Sequence, residues 1–250
     1  MIDRLLPDRS GLGPSVAGDA TSAQAFYTRV AGLYDVLARY GPLVGLLRRA
    51  LADALAPERG ATVVEFGCGT GANRPYLADR VGPEGTYVGV DFAPGVLRVA
   101  RERGRDRGDP GAFVRGDATR PPLGTGGVDA CCGAFVSGML AEPAAAVDTW
   151  AGVVGSGGRV ALLDLARTTR AGWRALNPAF RAFVRAGSPP GTAASLARSP
   201  AAVQDERVAA AHRRLRGVCS DVEYRTVLGG FGRVSAGTVA EPDERVADAT

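Results

Sequence analysis

Residues 63–72 read VVEFGCGTGA. An apolar run ends in a carboxylate, Glu65, and Gly67, Gly69 and Gly71 follow on alternate positions. Gly67, Gly69 and Ala72 satisfy the G-x-G-x-x-G/A pattern of a strand-to-helix turn whose backbone approaches a nucleotide closely. Asp91 stands 20 residues beyond Gly71, at the end of the next apolar run, where such folds place an acid on a ribose. The spacing alone leaves two ligands open, a dinucleotide and S-adenosylmethionine.

Outward from this turn, short strands and helices alternate. The runs ATVVEF (61–66), TYVGVD (86–91), AFVRGDA (112–118), VDACCGAFVSG (128–138) and RVALLDLA (159–166) are nearly continuous apolar stretches. Runs of that kind belong to a parallel sheet covered on both faces. Helical periodicity falls near 71–81, 94–104 and 143–153, with Pro75 tolerated in a first turn. The link TRPPLGTGG (119–127) is too short and too rich in proline and glycine for a full helix.

Ahead of the first strand, residues 1–20 lack periodicity and read as a flexible arm. Residues 21–56 form a helical cap broken at Gly41-Pro42, in which Tyr27, Val30, Tyr34 and Leu37 recur at helical spacing. After Leu165 comes an insertion, 168–218, with two helix-like stretches. The extended pair DVEYRTVLGG and GRVSAGTV then reads as a hairpin on the sheet edge. An acidic tail, 241–250, reads as disordered. The expectation is one domain over 21–240: a Rossmann-like three-layer α/β/α sandwich on a seven-stranded, mostly parallel sheet, the last strand antiparallel.

Composition narrows the chemistry. The 250 residues carry 30 basic and 26 acidic side chains, a net +4 without charged blocks, which argues against nucleic acid as partner. Every basic side chain is arginine, for the chain contains no lysine. Cys68, Cys131, Cys132 and Cys219 form no CxxC pair, and neighbours Cys131 and Cys132 would point to opposite faces of a strand. With His212 as the sole histidine, no zinc site of usual spacing is available, and no metal is expected. No apolar stretch reaches 18 residues, and the first residues show no signal-peptide pattern. These features predict a soluble, cytoplasmic protein without membrane insertion.

Charge sign separates the two ligands. Glu65 stands two residues before the first glycine, where a pyrophosphate on the helix N-terminus would meet a negative charge. A sulfonium and an α-amino group would be attracted there, which favours S-adenosylmethionine. VVEFGCGTG resembles the first motif of class I S-adenosylmethionine-dependent methyltransferases, and the resemblance extends over about 25–166. It implies that Gly67, Gly69 and Thr70 let the backbone approach the methionine part while Glu65 holds the amino group. It further implies that Asp91 binds the ribose hydroxyls and Phe92 lies beside the adenine. Asp117 and Ala118 match the adenine-edge position, Ala134 and Phe135 the floor under the sulfur, and Tyr34 a residue over the cofactor. YDVLARY, GDATRPPL and LGGFGRVSAG look most like the quinone-biosynthesis C-methyltransferases. Where that group carries an Arg-Asn pair after the fourth strand, this chain has FVSGML.

Each of these residues also has a plainer reading. Glu65 and Asp91 could cap helices, Asp117 could sit in a polar turn, and Tyr27 and Tyr34 could be core. Trp173, Leu176, Phe180 and Phe183, with Arg174, Arg181 and Arg185 beside them, form an apolar seam expected to pack on the domain or on a partner subunit rather than on a membrane, making a homodimer possible; a middle reading has this insertion cover the substrate. His212 reads as a solvated helix residue and is the only general-base candidate with an ordinary pKa near neutrality. The resulting expectation is in-line methyl transfer to a small-molecule acceptor, a reaction in which positioning does most of the work. The rival readings are an NAD-dependent oxidoreductase, whose Tyr-x-x-x-Lys a lysine-free chain cannot supply, and a non-catalytic S-adenosylmethionine-binding protein.

Overall fold

The structure, a computed structural model, describes residues 42–106, 112–187 and 199–241. The arm over 1–20, Tyr27 and Tyr34 of the helical cap, the loop-like stretch after Gly187 and the acidic tail beyond Glu241 lie outside the described residues.

Seven strands form one sheet in the order β3-β2-β1-β4-β5-β7-β6. They are β1 (Thr62–Phe66), β2 (Thr86–Asp91), β3 (Ala112–Arg115), β4 (Ala130–Ala134), β5 (Arg159–Leu165), β6 (Cys219–Val227) and β7 (Gly232–Val239). Strands β1 to β5 pair in parallel, and β7 is antiparallel to both β5 and β6. The C-terminal hairpin therefore lies on the β5 edge, with its second strand inserted next to β5. The order reverses between β1 and β4, which opens a crevice at their carboxyl ends.

Among the described residues six helices accompany the sheet: α1 (Pro42–Leu55), α2 (Arg74–Val81), α3 (Pro94–Asp106), α4 (Pro143–Val154), α5 (Asn177–Gly187) and α6 (Pro200–Val218). The period-two alternation of the strands sorts side chains between two layers. Val63, Cys132 and Leu163 pack with Leu51, Leu55, Leu77 and Leu97 of α1 to α3. Val64, Phe66, Cys131 and Leu162 pack instead with Trp150 of α4 and Leu215 of α6. Cys131 and Cys132 thus fall on opposite faces, and burial raises both thiols well above the ordinary range.

β3 ends at Arg115 rather than near residue 118, and two further elements are also shorter than the sequence pattern predicts, each shortening serving the crevice. The helix after β1 starts at Arg74 rather than near residue 71, since Gly67, Gly69 and Gly71 all adopt left-handed φ, from +54° to +70°. β4 ends at Ala134, where Phe135 turns left-handed at φ +58° and a 3₁₀ turn, Ser137–Met139, follows. An apolar run cannot reveal such a break, because a turn buried against the sheet keeps the same apolar composition. Arg159, at the start of β5, donates to the last carbonyls of α1, Ala54 O at 3.0 Å and Leu55 O at 2.9 Å, and so ties the cap to the sheet.

Candidate active site

The glycine loop is built by steric exclusion. A Cβ on Gly67 would come within 2.7 Å of Val136 Cγ2, and one on Gly71 within 3.1 Å of Phe113. Gly69 is left-handed for a different reason, since a Cβ there would meet nothing within 4 Å. The loop is closed toward the protein at Gly67 and Gly71 and open at Gly69. A ligand can therefore lie against the Gly69 backbone, as a nucleoside cofactor in this crevice requires.

Beneath the loop, Glu65 is 1% exposed and both its oxygens are engaged. Asn73 Nδ2 donates to Oε1 at 2.5 Å and Tyr87 Oη donates to Oε2 at 2.5 Å. Arg48 of α1 in turn donates to Asn73 Oδ1. Burial pushes the Glu65 carboxyl up to about 7, against the opposing pull of the Tyr87 and Asn73 hydrogen bonds and the Arg48 charge. The negative charge expected at the strand end is therefore titratable near neutrality, and a cation brought near it would favour the ionised form.

Asp91 ends β2 with its two oxygens on backbone donors, Gly69 N at 2.9 Å and Ala93 N at 2.9 Å. It closes the turn that leads into α3 and anchors the glycine loop at once, and burial raises its pKa. Phe92 follows it, half-buried. Asp117 is exposed and closes a polar turn, accepting from Thr119 N at 2.8 Å and Thr119 Oγ1 at 2.7 Å. Ala118 O accepts from Trp150 Nε1 at 2.7 Å, and that indole stacks on Phe66 at 5.0 Å. Thr70 is buried in the loop, and Ala134 is buried at the end of β4.

Glu65, Gly67, Gly69, Thr70, Asp91, Phe92, Asp117, Ala118 and Ala134 thus all stand at the carboxyl edge of β1 to β4. Sequence reasoning missed Arg48, Asn73 and Tyr87. A charge at the end of an apolar strand calls for buried donors, but only the β1–β2 register and the α1–α2 packing say which ones.

The floor after β4 is held from several sides. Phe135 N donates to Leu163 O at 2.7 Å, and its ring lies 5.9 Å from the Arg48 guanidinium. Ser137 N donates to Asp164 Oδ1 at 3.2 Å. Behind it, Asp164 Oδ2 lies 3.3 Å from His212 Nε2, off the hydrogen-bond axis, and His212 Nδ1 meets Ser235 Oγ at 2.6 Å. His212 is 2% exposed, not the solvated helix residue its neighbours in sequence predict. The Nδ1–Ser235 bond runs in the direction that the ring tautomer sets. Both ring nitrogens face protein groups, which turns His212 toward holding the floor rather than taking a proton from an acceptor. Among the described residues no group of His, Cys, Asp and Glu is arranged to hold a metal ion, and no helix is long and apolar enough to cross a membrane.

Comparison with known proteins agrees with this geometry. A family model for a methyltransferase domain matches residues 64–162, from β1 to β5. Nocamycin O-methyltransferase of Saccharothrix syringae is 29% identical over 214 residues, 80% of this chain and 75% of that protein. A demethylmenaquinone methyltransferase of Beutenbergia cavernae is 32% identical over 157 residues, 59% of this chain and 62% of the relative. The match thus spans three quarters of the first relative and less than two thirds of the second. In fold, the chain resembles a crystal structure of a SAM-dependent methyltransferase from Aquifex aeolicus, with a TM-score of 0.57 at 16% identity, covering 87% of this chain and 98% of that one. Residues 64–162 thus match a methyltransferase domain, and the strand order with its crevice between β1 and β4 gives the chain the Rossmann-like fold of the S-adenosylmethionine-dependent methyltransferases it resembles.

Proposed function

We propose that the protein methylates a hydroxyl or carbon of a small, largely apolar acceptor, with Glu65, Gly67, Gly69, Thr70, Asp91, Phe92, Asp117, Ala118 and Ala134 lining the cofactor. Bound S-adenosylmethionine supplies a methyl group on a positively charged sulfur, activated for in-line displacement. The residues then need only bind, orient and exclude water. In this reading Glu65 balances the positive charge of the ligand, Asp91 holds the ribose hydroxyls, and the loop at Gly69 lets the ligand lie against the backbone. Tyr34, outside the described residues, is proposed to lie over the cofactor.

One observation carries this reading: a buried carboxylate, wired to Asn73 and Tyr87 directly beneath a left-handed glycine loop. A dinucleotide would bring a pyrophosphate to that carboxylate, an unfavourable pairing, whereas a sulfonium with an α-amino group complements it. The acceptor class rests on the apolar residues at and after the end of β4, Ala134, Phe135, Val136 and Met139, of which Val136 lies against Gly67. It rests also on the names of relatives acting on nocamycin, aklanonic acid and demethylmenaquinone.

The test has two arms. Calorimetry with S-adenosylmethionine and with NAD should show binding of the first alone. Incubation with labelled cofactor and a panel of phenols, enols, carboxylic acids and naphthoquinols should transfer label to one chemical class. Cofactor binding with no transfer to any member of a broad panel would support the non-catalytic alternative.

A further inference from the structure

The segment after β5 carries an exposed apolar surface outside the site described above. Trp173, Leu176 and Phe183 are 48%, 50% and 57% exposed. The apolar seam expected to pack inward is therefore split. Phe180 and Val184, one helical turn apart on α5, are buried with Ala201, while Trp173, Leu176 and Phe183 face outward.

These side chains are presented on a rigid frame. Asn177 closes the preceding loop by accepting from Thr168 N at 3.0 Å and donating to Thr168 O at 3.0 Å. Thr168 Oγ1 donates to Gly229 O at 2.7 Å. The Trp173 indole lies so close on the left-handed Gly229 that a Cβ there would clash with it at 2.2 Å. One face of the indole is thus fixed to the domain while the other remains open. A loop free to move would tuck such groups in; this one cannot.

Charge identifies the complement. From Ala166 to Gln204 the sequence holds six arginines and no carboxylate. Arg167 is paired with Asp205, and Arg170 donates to Thr226. Arg174, Arg181 and Arg185 are exposed, and among the described residues no ion pair joins any of them to a carboxylate. Exposed Trp, Leu and Phe bordered by arginine and devoid of acid is the composition of an element that lies in a membrane interface, aromatic groups at headgroup depth and cations on anionic lipid.

We propose that the 3₁₀ turn Ala171–Leu176 together with α5 docks the protein on an anionic lipid bilayer. Since this element leaves β5 at the carboxyl edge of the sheet, docking would turn the crevice mouth toward the lipid, an arrangement suited to an acceptor dissolved in the bilayer. The inference concerns the surface and stands whether or not the acceptor reading holds.

The test uses the full chain and vesicles, with no turnover measured. Co-sedimentation with vesicles of phosphatidylglycerol and phosphatidylcholine should capture the protein, and pure phosphatidylcholine vesicles should not. Capture should fall with salt, and Arg174→Gln, Arg181→Gln and Arg185→Gln together should weaken it about a hundredfold. Trp173 is one of only two tryptophans, and the other, Trp150, is fully buried. Its emission should therefore shift to the blue on binding anionic vesicles and not on zwitterionic ones. Trp173→Ser with Phe183→Ser should abolish capture while cofactor affinity and circular dichroism stay unchanged, which separates docking from folding. Equal behaviour toward both vesicle types would overturn the proposal. So would a dimer in light scattering that dissociates in the Ser variant without any vesicle binding, which would give the face to a second copy.

Discussion

Asn73 bridges two charges: its amide nitrogen donates to Glu65 Oε1 at 2.5 Å while its oxygen accepts from Arg48. The residue precedes α2, so the same few atoms join the strand end, the glycine loop and the cap helix. Disturbance at any one of them should be felt at the others.

Glu65→Gln should separate stability from binding. Gln can keep the Asn73 bond and meet a reoriented Tyr87 hydroxyl, so the buried network survives without its charge. The expected result is higher thermal stability of the ligand-free protein at pH 8 and about ten- to a hundredfold weaker S-adenosylmethionine binding, read by differential scanning fluorimetry and calorimetry. Unchanged affinity would remove Glu65 from the cofactor site.

The pH dependence follows from the same group. Its folded pKa is raised, from 4.5 to about 7, so its contribution to stability is fully present below pH 4.5 and is lost as pH rises through 7. The span corresponds to about 3 kcal/mol, visible as the difference between wild type and Glu65→Gln in denaturation across pH 4.5 to 8. Ligand binding has the opposite sign: a cation stabilises the carboxylate, so affinity should rise with pH through neutrality and binding near pH 6.5 should release a proton. Calorimetry in buffers of different ionisation enthalpy measures that release.

Alanine at the two loop glycines should fail in different ways. Gly67→Ala meets both the left-handed backbone and Val136, and should cost about 2–4 kcal/mol of stability; Val136→Ala in the same chain should recover part of it. Gly69→Ala meets only the backbone term, about 1–2 kcal/mol, yet puts a methyl group into the open side of the loop. Its loss should appear chiefly in cofactor affinity.

Asp164 should act through the turn after β4. Asp164→Ala leaves Ser137 N–H buried without its acceptor and His212 without its carboxylate, at a cost of about 1–3 kcal/mol. Asp164→Asn retains an acceptor for Ser137 and should recover most of it. If the pair holds the floor at Phe135, the Ala variant should lower kcat while cofactor affinity stays near wild type.

What could be read before folding was whatever depends on near neighbours. Alternating apolar runs and the glycine spacing announced a doubly wound sheet, and the loop glycines proved left-handed because a tight turn after a strand leaves no alternative. The lengths of β3 and β4 were overestimated, since Asp117 turns the chain by its own side chain and Phe135 is held left-handed by partners distant in sequence. His212 misled for the same reason: AAAHRRLRG looks solvated, and only the packing of α6 against β5 and β7 buries its ring between Asp164 and Ser235.

The chain's linear order by itself determined the α/β class, the position of the glycine loop and the acid at the end of β1, because periodicity, turn chemistry and spacing act over a few residues. Tertiary structure alone decided that this acid is shared between Asn73 and Tyr87 and titrates near 7, that the C-terminal hairpin enters beside β5, and that Trp173 and Phe183 stay in solvent while Phe180 does not. Burial and pairing are sums over groups brought together from distant positions, and those sums exist only once the sheet has closed its two faces.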